Sequence, residues 1–194
     1  AEAEFLRVIA LRHPEAAKPV VVGNCQGGWA TLVLAAANPD ITGPLVINGA
    51  PVATWSGQIG ENPMRYNGGL LGGALPALLI SDLGHGEFDG AHLVSNFEML
   101  NPSRNYFGKY YDLFRNVDTQ RSSFLEFERW WGGFHFTNEE EIRWIVEQLF
   151  VGNRLVKNEA RIEPGRPVDL KAIRAPIIVF ASHGDNITPP QQAL

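Results

Sequence analysis

The sequence predicts an α/β fold built on a mostly parallel sheet, with a long helical insertion between two of its strands. Three short runs rich in β-branched residues predict the strands, and they occupy residues 18–23, 44–48 and 176–181. None of these runs alternates apolar with polar residues, which is typical of strands that are covered on both faces in a parallel sheet. Residues 52–175, between the second and third runs, show helical patterns and loops but no comparable strand.

A helix is predicted directly after the first strand. Its pattern starts at Gly27 and ends at Asn38, where the next residue is a proline that cannot continue a helix. The third strand leads into a loop, residues 182–185, and then into another helix start. There we predict Thr188 as the N-cap and Pro189 as the first helical residue, because these residue types favour those positions.

Two helices are predicted within the insertion, over residues 90–100 and 138–150. In the second of them, Asn138 precedes Glu141 by three residues, which is the spacing of a capping box. Its apolar residues recur on one face, and we expect that face to be buried. They are Ile142, Ile145, Val146 and Leu149.

We therefore predict three consecutive ranges. Residues 1–51 form the sheet core, residues 52–175 form a mainly helical cap or lid, and residues 176–194 form a further core strand with its loop and a helix start. A helical pattern is already under way at Ala1, and Leu194 follows a helix start too closely for that helix to bury a face. We expect both ends to be cut from a longer protein.

Composition excludes several classes of partner. The formal net charge is -5, and the 16 Lys and Arg are scattered singly, so no basic patch for nucleic acid is predicted. The longest central apolar run, residues 68–80, is shorter than the roughly 20 residues of a membrane span. One cysteine cannot form an internal disulfide, and this usage favours a reducing, cytoplasmic compartment.

The pentapeptide at residues 23–27 reads GNCQG and lies between the first strand and its helix. A strand, Gly-x-nucleophile-x-Gly and a helix make up the nucleophile elbow of the α/β-hydrolase fold, so this fold is predicted with Cys25 as its nucleophile. A lone cysteine is otherwise a small buried apolar residue. The helix N-terminus is expected to favour a thiolate, and the N–H of Gln26 is the predicted oxyanion donor.

Asp185 is the predicted acid of a catalytic triad, because it lies in the loop after a later strand. The alternative is a turn or capping residue. We expect its strand to be adjacent to the strand that precedes Cys25.

The base is missing from this triad, since none of the five histidines follows Asp185. They are His13, His85, His92, His135 and His183. His183 lies too close to Asp185 in sequence to bridge from acid to nucleophile, and it is predicted at the edge of the site. We expect the base to be a histidine beyond Leu194. No metal site and no dinucleotide or Walker fingerprint is recognised, so no cofactor is predicted.

The residues around Cys25 and Asp185 resemble those of a known family, the poly(3-hydroxyalkanoate) synthases. Residues 23–28 are similar to the cysteine-bearing lipase box of that family. Further similar segments are residues 90–115, the tryptophan region at 127–131, residues 148–156 and 168–176, and the acid motif at 184–189. The chain resembles an uncharacterised synthase-like bacterial branch of this family.

The resemblance implies that Cys25 is the acylated nucleophile, that Asp185 is the triad acid, and that Trp130 and Trp131 belong to a substrate-binding region. From its position beside Asp185, His183 is predicted to line the same site, with a structural role as the alternative. An acyl-CoA or a polyester is the implied substrate, and a homodimer is left open. Three functions compete: an acyltransferase acting on hydroxyacyl-CoA, a thioesterase, esterase or polyester depolymerase, and a non-catalytic protein that binds acyl chains or granules. The first two differ in whether a hydroxyl group or water resolves the acyl-enzyme.

Overall fold

A computed structural model describes residues 1–57, 73–185 and 187–193. The α-helices are α1 (Glu2–Arg12), α2 (Gln26–Ala37), α3 (Leu75–Leu83), α4 (Ala91–Glu98), α5 (Lys109–Arg115), α6 (Val117–Trp131), α7 (Glu139–Trp144) and α8 (Pro190–Ala193). The strands are β1 (Val21–Asn24), β2 (Leu45–Asn48), β3 (Glu87–Asp89), β4 (Phe136–Asn138), β5 (Arg161–Glu163), β6 (Arg166–Pro167) and β7 (Ile177–Phe180). Two π-helices (Ser103–Gly108 and Ile145–Phe150) and a 3-10 turn (Leu170–Ala172) are the other helical elements of the described residues.

The three predicted strands form one parallel sheet in the order β1-β2-β7. The predicted parallel pairing is confirmed, and the mixture of helices with a small parallel sheet is compatible with the predicted α/β class. The last residue of each strand is within one residue of the last residue of its predicted run. Proline or glycine limits each run on at least one side. The register aligns Asn24 with Asn48 and Asn48 with Phe180, so the carboxyl ends of all three strands lie at the same sheet edge.

Helix α2 covers one face of β1 and β2. Its residues Leu32 and Ala35 are buried in a core that also contains Leu45 and Ile47 of β2. The same core includes apolar residues from the segment after Trp144, which lie beside α2 and β2. They are Ile145, Leu149, Leu155, Ala160 and Val168.

The other face of the sheet differs from the prediction that the strands are covered on both sides. Val22 of β1 is 65% exposed, and β7 is exposed on both of its faces, since all four of its residues are exposed. Side chains alternate between the two faces of a strand, so Val22 points away from the α2 face that holds Gly23 and Ile47. Within the described part of the chain, this second face is not buried.

The described chain divides into two compact units. The first comprises the described residues of Ala1–Gly73 and Trp144–Leu194, and the second is Ala74–Arg143. Residues 144–175 belong to the predicted insertion but group with the sheet. The assignment of the second unit as a cap stays a prediction.

The second unit contains α3 to α6, the π-helix Ser103–Gly108, α7 as far as Arg143, and an antiparallel β3–β4 pair. Aromatic side chains make many of its contacts. Phe127 stacks on Trp131 at 5.8 Å between ring centroids, and Tyr110 meets Phe124 edge-on at 5.9 Å. Lys109 forms an ion pair of 2.9 Å with Glu128. The predicted helix over residues 90–100 is present as α4.

The predicted helix over residues 138–150 forms with a change of geometry partway along it. Asn138 caps it as predicted, because its Oδ1 accepts the N–H of Glu141 at 2.8 Å. Ile142, Ile145 and Leu149 are buried, which confirms the predicted apolar face. The last turn is a π-helix, Ile145–Phe150, in which Val146 O accepts the N–H of Val151 at 2.8 Å. Two carbonyl groups of this turn also accept hydrogen bonds from side chains. These bonds come from Thr54 to Leu149 O and from Trp55 to Phe150 O.

Among residues 1–57, 73–185 and 187–193, no helix combines the length and apolar character that crossing a bilayer requires. The apolar run at 68–80 falls partly outside the described residues. Its described end lies in α3, which is 9 residues long.

Candidate active site

Cys25 lies in the tight turn between β1 and the first residue of α2. Its backbone has φ 52° and ψ -122°, a left-handed conformation that costs a non-glycine residue on the order of 1–3 kcal/mol. Two backbone bonds hold it there. The N–H of Cys25 donates to Asn48 O at 2.8 Å, and the Cys25 carbonyl accepts the N–H of Gly28 at 2.9 Å. The strand, strained turn and helix predicted from the sequence are all present.

Two glycines allow the strand and the helix to approach each other at this turn. A Cβ on Gly23 would lie 2.4 Å from Gly27 O, and a Cβ on Gly28 would lie 2.2 Å from the Cβ of Ala50. A Cβ on Gly27 would meet nothing within 4 Å. The motif pointed to Gly23 and Gly27, but the close contacts are made at Gly23 and Gly28.

The thiol of Cys25 is exposed, yet the groups around it remove enough water to raise its pKa. Desolvation is the largest cause. The N–H of Gln26 donates to the sulfur and lowers the pKa, and the negative charge of Asp185 raises it. The expected stabilisation of a thiolate by the helix N-terminus is therefore outweighed. The raised pKa favours the protonated thiol over the thiolate.

Asp185 lies in the loop between β7 and α8, and its carboxylate is fixed by three hydrogen bonds. Oδ1 accepts the N–H groups of Ile187 and Thr188, both at 2.9 Å, and Oδ2 lies 2.8 Å from Thr188 Oγ1. The N–H of Asp185 donates to Ser182 O at 3.1 Å. Its charge acts on the Cys25 thiol, so the two residues are near enough to interact.

Thr188 does not act as the predicted N-cap. Helix α8 begins at Pro190, one residue later than predicted, and the Thr188 hydroxyl lies between Asp185 Oδ2 and Gly49 O. The hydroxyl donates to a carboxylate here, whereas the hydroxyl of an N-cap residue accepts a backbone N–H of its helix.

The strands that carry Cys25 and Asp185 are not adjacent, and the expectation that they would be is wrong. β2 lies between β1 and β7. The two loops attach to Asn48, the last residue of β2, and to Gly49, the residue after it. Asn48 O accepts the N–H of Cys25, and Gly49 O lies 3.0 Å from Thr188 Oγ1. Strand β2 thus links the nucleophile turn to the acid loop.

An amide pair beside Cys25 was missed by the sequence reasoning. Asn48 Nδ2 donates to Asn24 Oδ1 at 2.7 Å, and both side chains are exposed at the carboxyl ends of β1 and β2. A signal was present, since both predicted strands are followed or closed by an asparagine. Only the parallel register shows that the two residues are paired.

No described histidine is hydrogen-bonded to Cys25 or Asp185. His183 is exposed in the loop before Asp185, so its role at the edge of the site and a base beyond Leu194 both stay predictions. Trp130 and Trp131 lie in the second unit. Trp130 is 71% exposed, and Trp131 Nε1 donates to Glu98 Oε1 at 3.0 Å. Their predicted role in substrate binding is likewise untested.

Metal binding has no support in the described ranges. They contain no group of three or more His, Cys, Asp or Glu side chains arranged to hold an ion.

These features define an α/β protein whose parallel sheet carries a strained cysteine turn and a fixed aspartate at one edge. The chain belongs to the family described as "Protein of unknown function (DUF3141)", which matches residues 1–194.

Relatives extend this picture. An "Uncharacterized protein in ackA 5'region" of Rhizobium meliloti is 52% identical over 194 residues, which is 100% of this chain and 26% of that protein. The "Poly(3-hydroxyalkanoate) polymerase subunit PhaC" of Synechocystis is 27% identical over 96% of this chain and 49% of its own length. The protein of the same description from Haloferax mediterranei is 27% identical over 55% of this chain and 22% of its own. The chain thus spans between a fifth and a half of the length of these relatives. No solved structure matches it.

Proposed function

We propose that the protein is an acyltransferase of the poly(3-hydroxyalkanoate) synthase type, in which Cys25 carries the acyl group of a hydroxyacyl-CoA as a thioester. The observation that carries the proposal is the Cys25 turn, where a strained cysteine opens a helix and receives the Gln26 N–H. We infer that the sheet is the core of an α/β-hydrolase fold, in which such a turn is the nucleophile elbow.

The first half-reaction transfers the acyl group to the protein. A base takes the proton of the Cys25 thiol, and the thiolate attacks the carbonyl carbon of the acyl-CoA. The Gln26 N–H stabilises the resulting oxyanion. Collapse breaks the bond from carbon to the CoA sulfur, and CoA leaves as a thiol after taking up the proton.

The second half-reaction releases the acyl group to an acceptor. The base deprotonates a hydroxyl group, whose oxygen attacks the thioester at Cys25 and forms an ester. The thiolate that leaves recovers its proton, so the enzyme returns to its starting state. With water as acceptor the same steps give hydrolysis.

The raised pKa of Cys25 is consistent with a scheme in which the resting thiol is unreactive and a separate base activates it. A resting thiol is protected from oxidation and alkylation, because the thiolate is the reactive form. A base must then generate the thiolate when substrate is bound. We infer that Asp185 orients that base and stabilises its positive charge. A histidine beyond Leu194 is the group we expect in this role.

Similarity to relatives supports the same chemistry. The Synechocystis relative is described as a polymerase subunit for poly(3-hydroxyalkanoate), and its match covers both the Cys25 turn and the Asp185 loop, since it includes 96% of the chain. Its identity of 27% supports a related reaction more than a particular acyl chain length.

The test is to incubate the full-length protein with 3-hydroxybutyryl-CoA and to measure the mass of the peptide that contains Cys25. The proposal predicts an adduct of one hydroxyacyl group on Cys25, and release of free CoA in the same amount. Cys25→Ala should form none, while retaining the melting temperature of the wild type within a few degrees. An adduct that persists in Cys25→Ala, or product formation without CoA release, would overturn the assignment.

A further inference from the structure

The acid loop contains a hydroxyl group that the proposed mechanism does not use. Thr188 is 2% exposed, so its side chain is buried beneath the loop. Its Oγ1 lies 2.8 Å from Asp185 Oδ2 and 3.0 Å from Gly49 O. Both neighbours are acceptors, and a threonine hydroxyl has a single proton to donate. The carboxylate is the stronger acceptor because it is charged, so the proton bonds mainly to Asp185.

The position of this hydroxyl determines which way the carboxylate faces. The backbone N–H groups of Ile187 and Thr188 both donate to Oδ1 and leave Oδ2 to Thr188 Oγ1. The carboxylate therefore has one oxygen held by the loop and the other held by a buried side chain. Rotation of the carboxylate would break bonds on both oxygens.

The other neighbour of Thr188 ties this arrangement to the nucleophile turn. Gly49 O belongs to the residue after Asn48, whose own carbonyl oxygen accepts the N–H of Cys25. Gly49 itself has φ 52°, and its N–H donates to Phe180 O at the end of β7 at 2.9 Å. Thr188 therefore lies against the part of the main chain that also holds Cys25.

We propose that Thr188 is a positioning residue of the active site: its buried hydroxyl holds Asp185 Oδ2 against the end of β2, at a fixed place relative to Cys25. This inference rests on the proposed function for its kinetic consequence. Its geometric consequence, the place of the Asp185 charge beside the thiol, is independent of any substrate.

Three variants of the full-length protein separate the hydroxyl from the shape of the side chain. Thr188→Val keeps the shape and removes the hydroxyl, whereas Thr188→Ser keeps the hydroxyl. Thr42→Val is the matched control, because Thr42 is 3% exposed and its buried Oγ1 has no hydrogen-bond partner among the residues that the structure describes. It lies before the start of β2, at the opposite end of that strand from the site.

The first readout is the rate at which Cys25 reacts with iodoacetamide as a function of pH, followed on the Cys25 peptide by mass spectrometry. The Asp185 charge raises the pKa of Cys25, and Asp185 is the charged side chain found to act on it in the described chain. Thr188→Val should therefore lower the midpoint of the pH profile towards that of Asp185→Asn. The double variant Thr188→Val, Asp185→Asn should have the same midpoint as Asp185→Asn alone. Thr188→Ser and Thr42→Val should keep the wild-type midpoint.

The second readout is kinetic. Thr188→Val should reduce kcat for acyl transfer at least tenfold with KM changed less than twofold, because it misorients the acid without touching substrate. Thr188→Ser should restore kcat to within threefold of the wild type.

A Thr188→Val variant that melts like Thr42→Val but keeps the wild-type midpoint and kcat would overturn the inference. So would a Thr188→Ser variant that behaves like Thr188→Val. If no variant or wild-type protein forms an acyl adduct, the proposed function fails, but the pH midpoints still decide whether Thr188 positions Asp185.

Discussion

The turn after β1 and the loop after β7 hold their central residues by different means. Cys25 adopts a strained backbone that is fixed by main-chain bonds and by the absence of side chains at Gly23 and Gly28. Asp185 is held by hydrogen bonds to its own carboxylate, two from backbone N–H groups and one from Thr188. The nucleophile turn is therefore sensitive to added atoms, and the acid loop is sensitive to lost hydrogen bonds.

The largest expected effect on stability tests whether the nucleophile turn is sensitive to added atoms. Gly28→Ala adds a Cβ that would lie 2.2 Å from the Cβ of Ala50 and 3.0 Å from Ile47 Cγ2, so α2 must move away from β2. We expect a loss of about 2–3 kcal/mol in the free energy of unfolding, measured with urea.

Gly27→Ala is the matched control for that prediction. It is the neighbouring position in α2, and the added Cβ would meet nothing within 4 Å. Alanine is a better helix former, so we expect a gain of roughly 0.5–1 kcal/mol. Equal effects of the two substitutions would show that close packing at Gly28 does not shape the turn.

A smaller effect is expected at Gly49, where the two regions meet. Its φ of 52° is unfavourable for alanine, but the added Cβ would lie at ordinary contact distances, 3.7 Å from both Asp185 Oδ2 and Thr188 Oγ1. Gly49→Ala should therefore cost about 1–2 kcal/mol of stability from backbone strain alone. Gly49→Asn should cost less, because asparagine tolerates this conformation. If Gly49→Asn proves the more damaging change in urea unfolding, contact with the acid loop dominates over strain.

The smallest expected effect concerns charge. Asp185→Asn removes a negative charge that raises the pKa of Cys25, so that pKa should fall and the thiolate should appear at lower pH. Desolvation is the larger cause and is unchanged, so the pKa should still exceed that of a free cysteine. The pH profile of alkylation measures this shift. A rise in the midpoint would mean that Asp185 acts on the thiol through another group.

The parts of the fold that local sequence determines were predicted well. β-branched runs bounded by proline and glycine gave the three strands, and the strand–Gly-x-Cys-x-Gly–helix order gave the Cys25 turn. Asn138 was identified as a helix cap because its partner, the N–H of Glu141, is three residues away.

The parts that depend on distant residues were predicted poorly. The sequence predicts Thr188 as the N-cap of the helix that follows it, but its hydroxyl contacts Gly49, which is 139 residues away in the chain. Gly28 is required because of Ala50, a contact that no local pattern reveals. The raised pKa of Cys25 was not predicted from the sequence, because desolvation depends on the groups that pack around the sulfur.

Strand order was not predictable for the same reason. A sequence shows which runs are strands, but it does not show that β2 lies between β1 and β7. The long separation between β2 and β7 gave no indication of their pairing.

The attachment of both loops to Asn48 and Gly49 also affects how the chain tolerates changes in length. These two residues are consecutive, so their Cα atoms are about 3.8 Å apart whatever the rest of the chain does. Asn48 holds the nucleophile turn and Gly49 holds the acid loop, so the spacing between these two attachment points is set by a single peptide unit. Residues added to or deleted from the segment that joins β2 to β7 leave that spacing unchanged, as long as β7 still pairs with β2. The length of this segment can therefore change without moving the two attachment points, Asn48 and Gly49, apart.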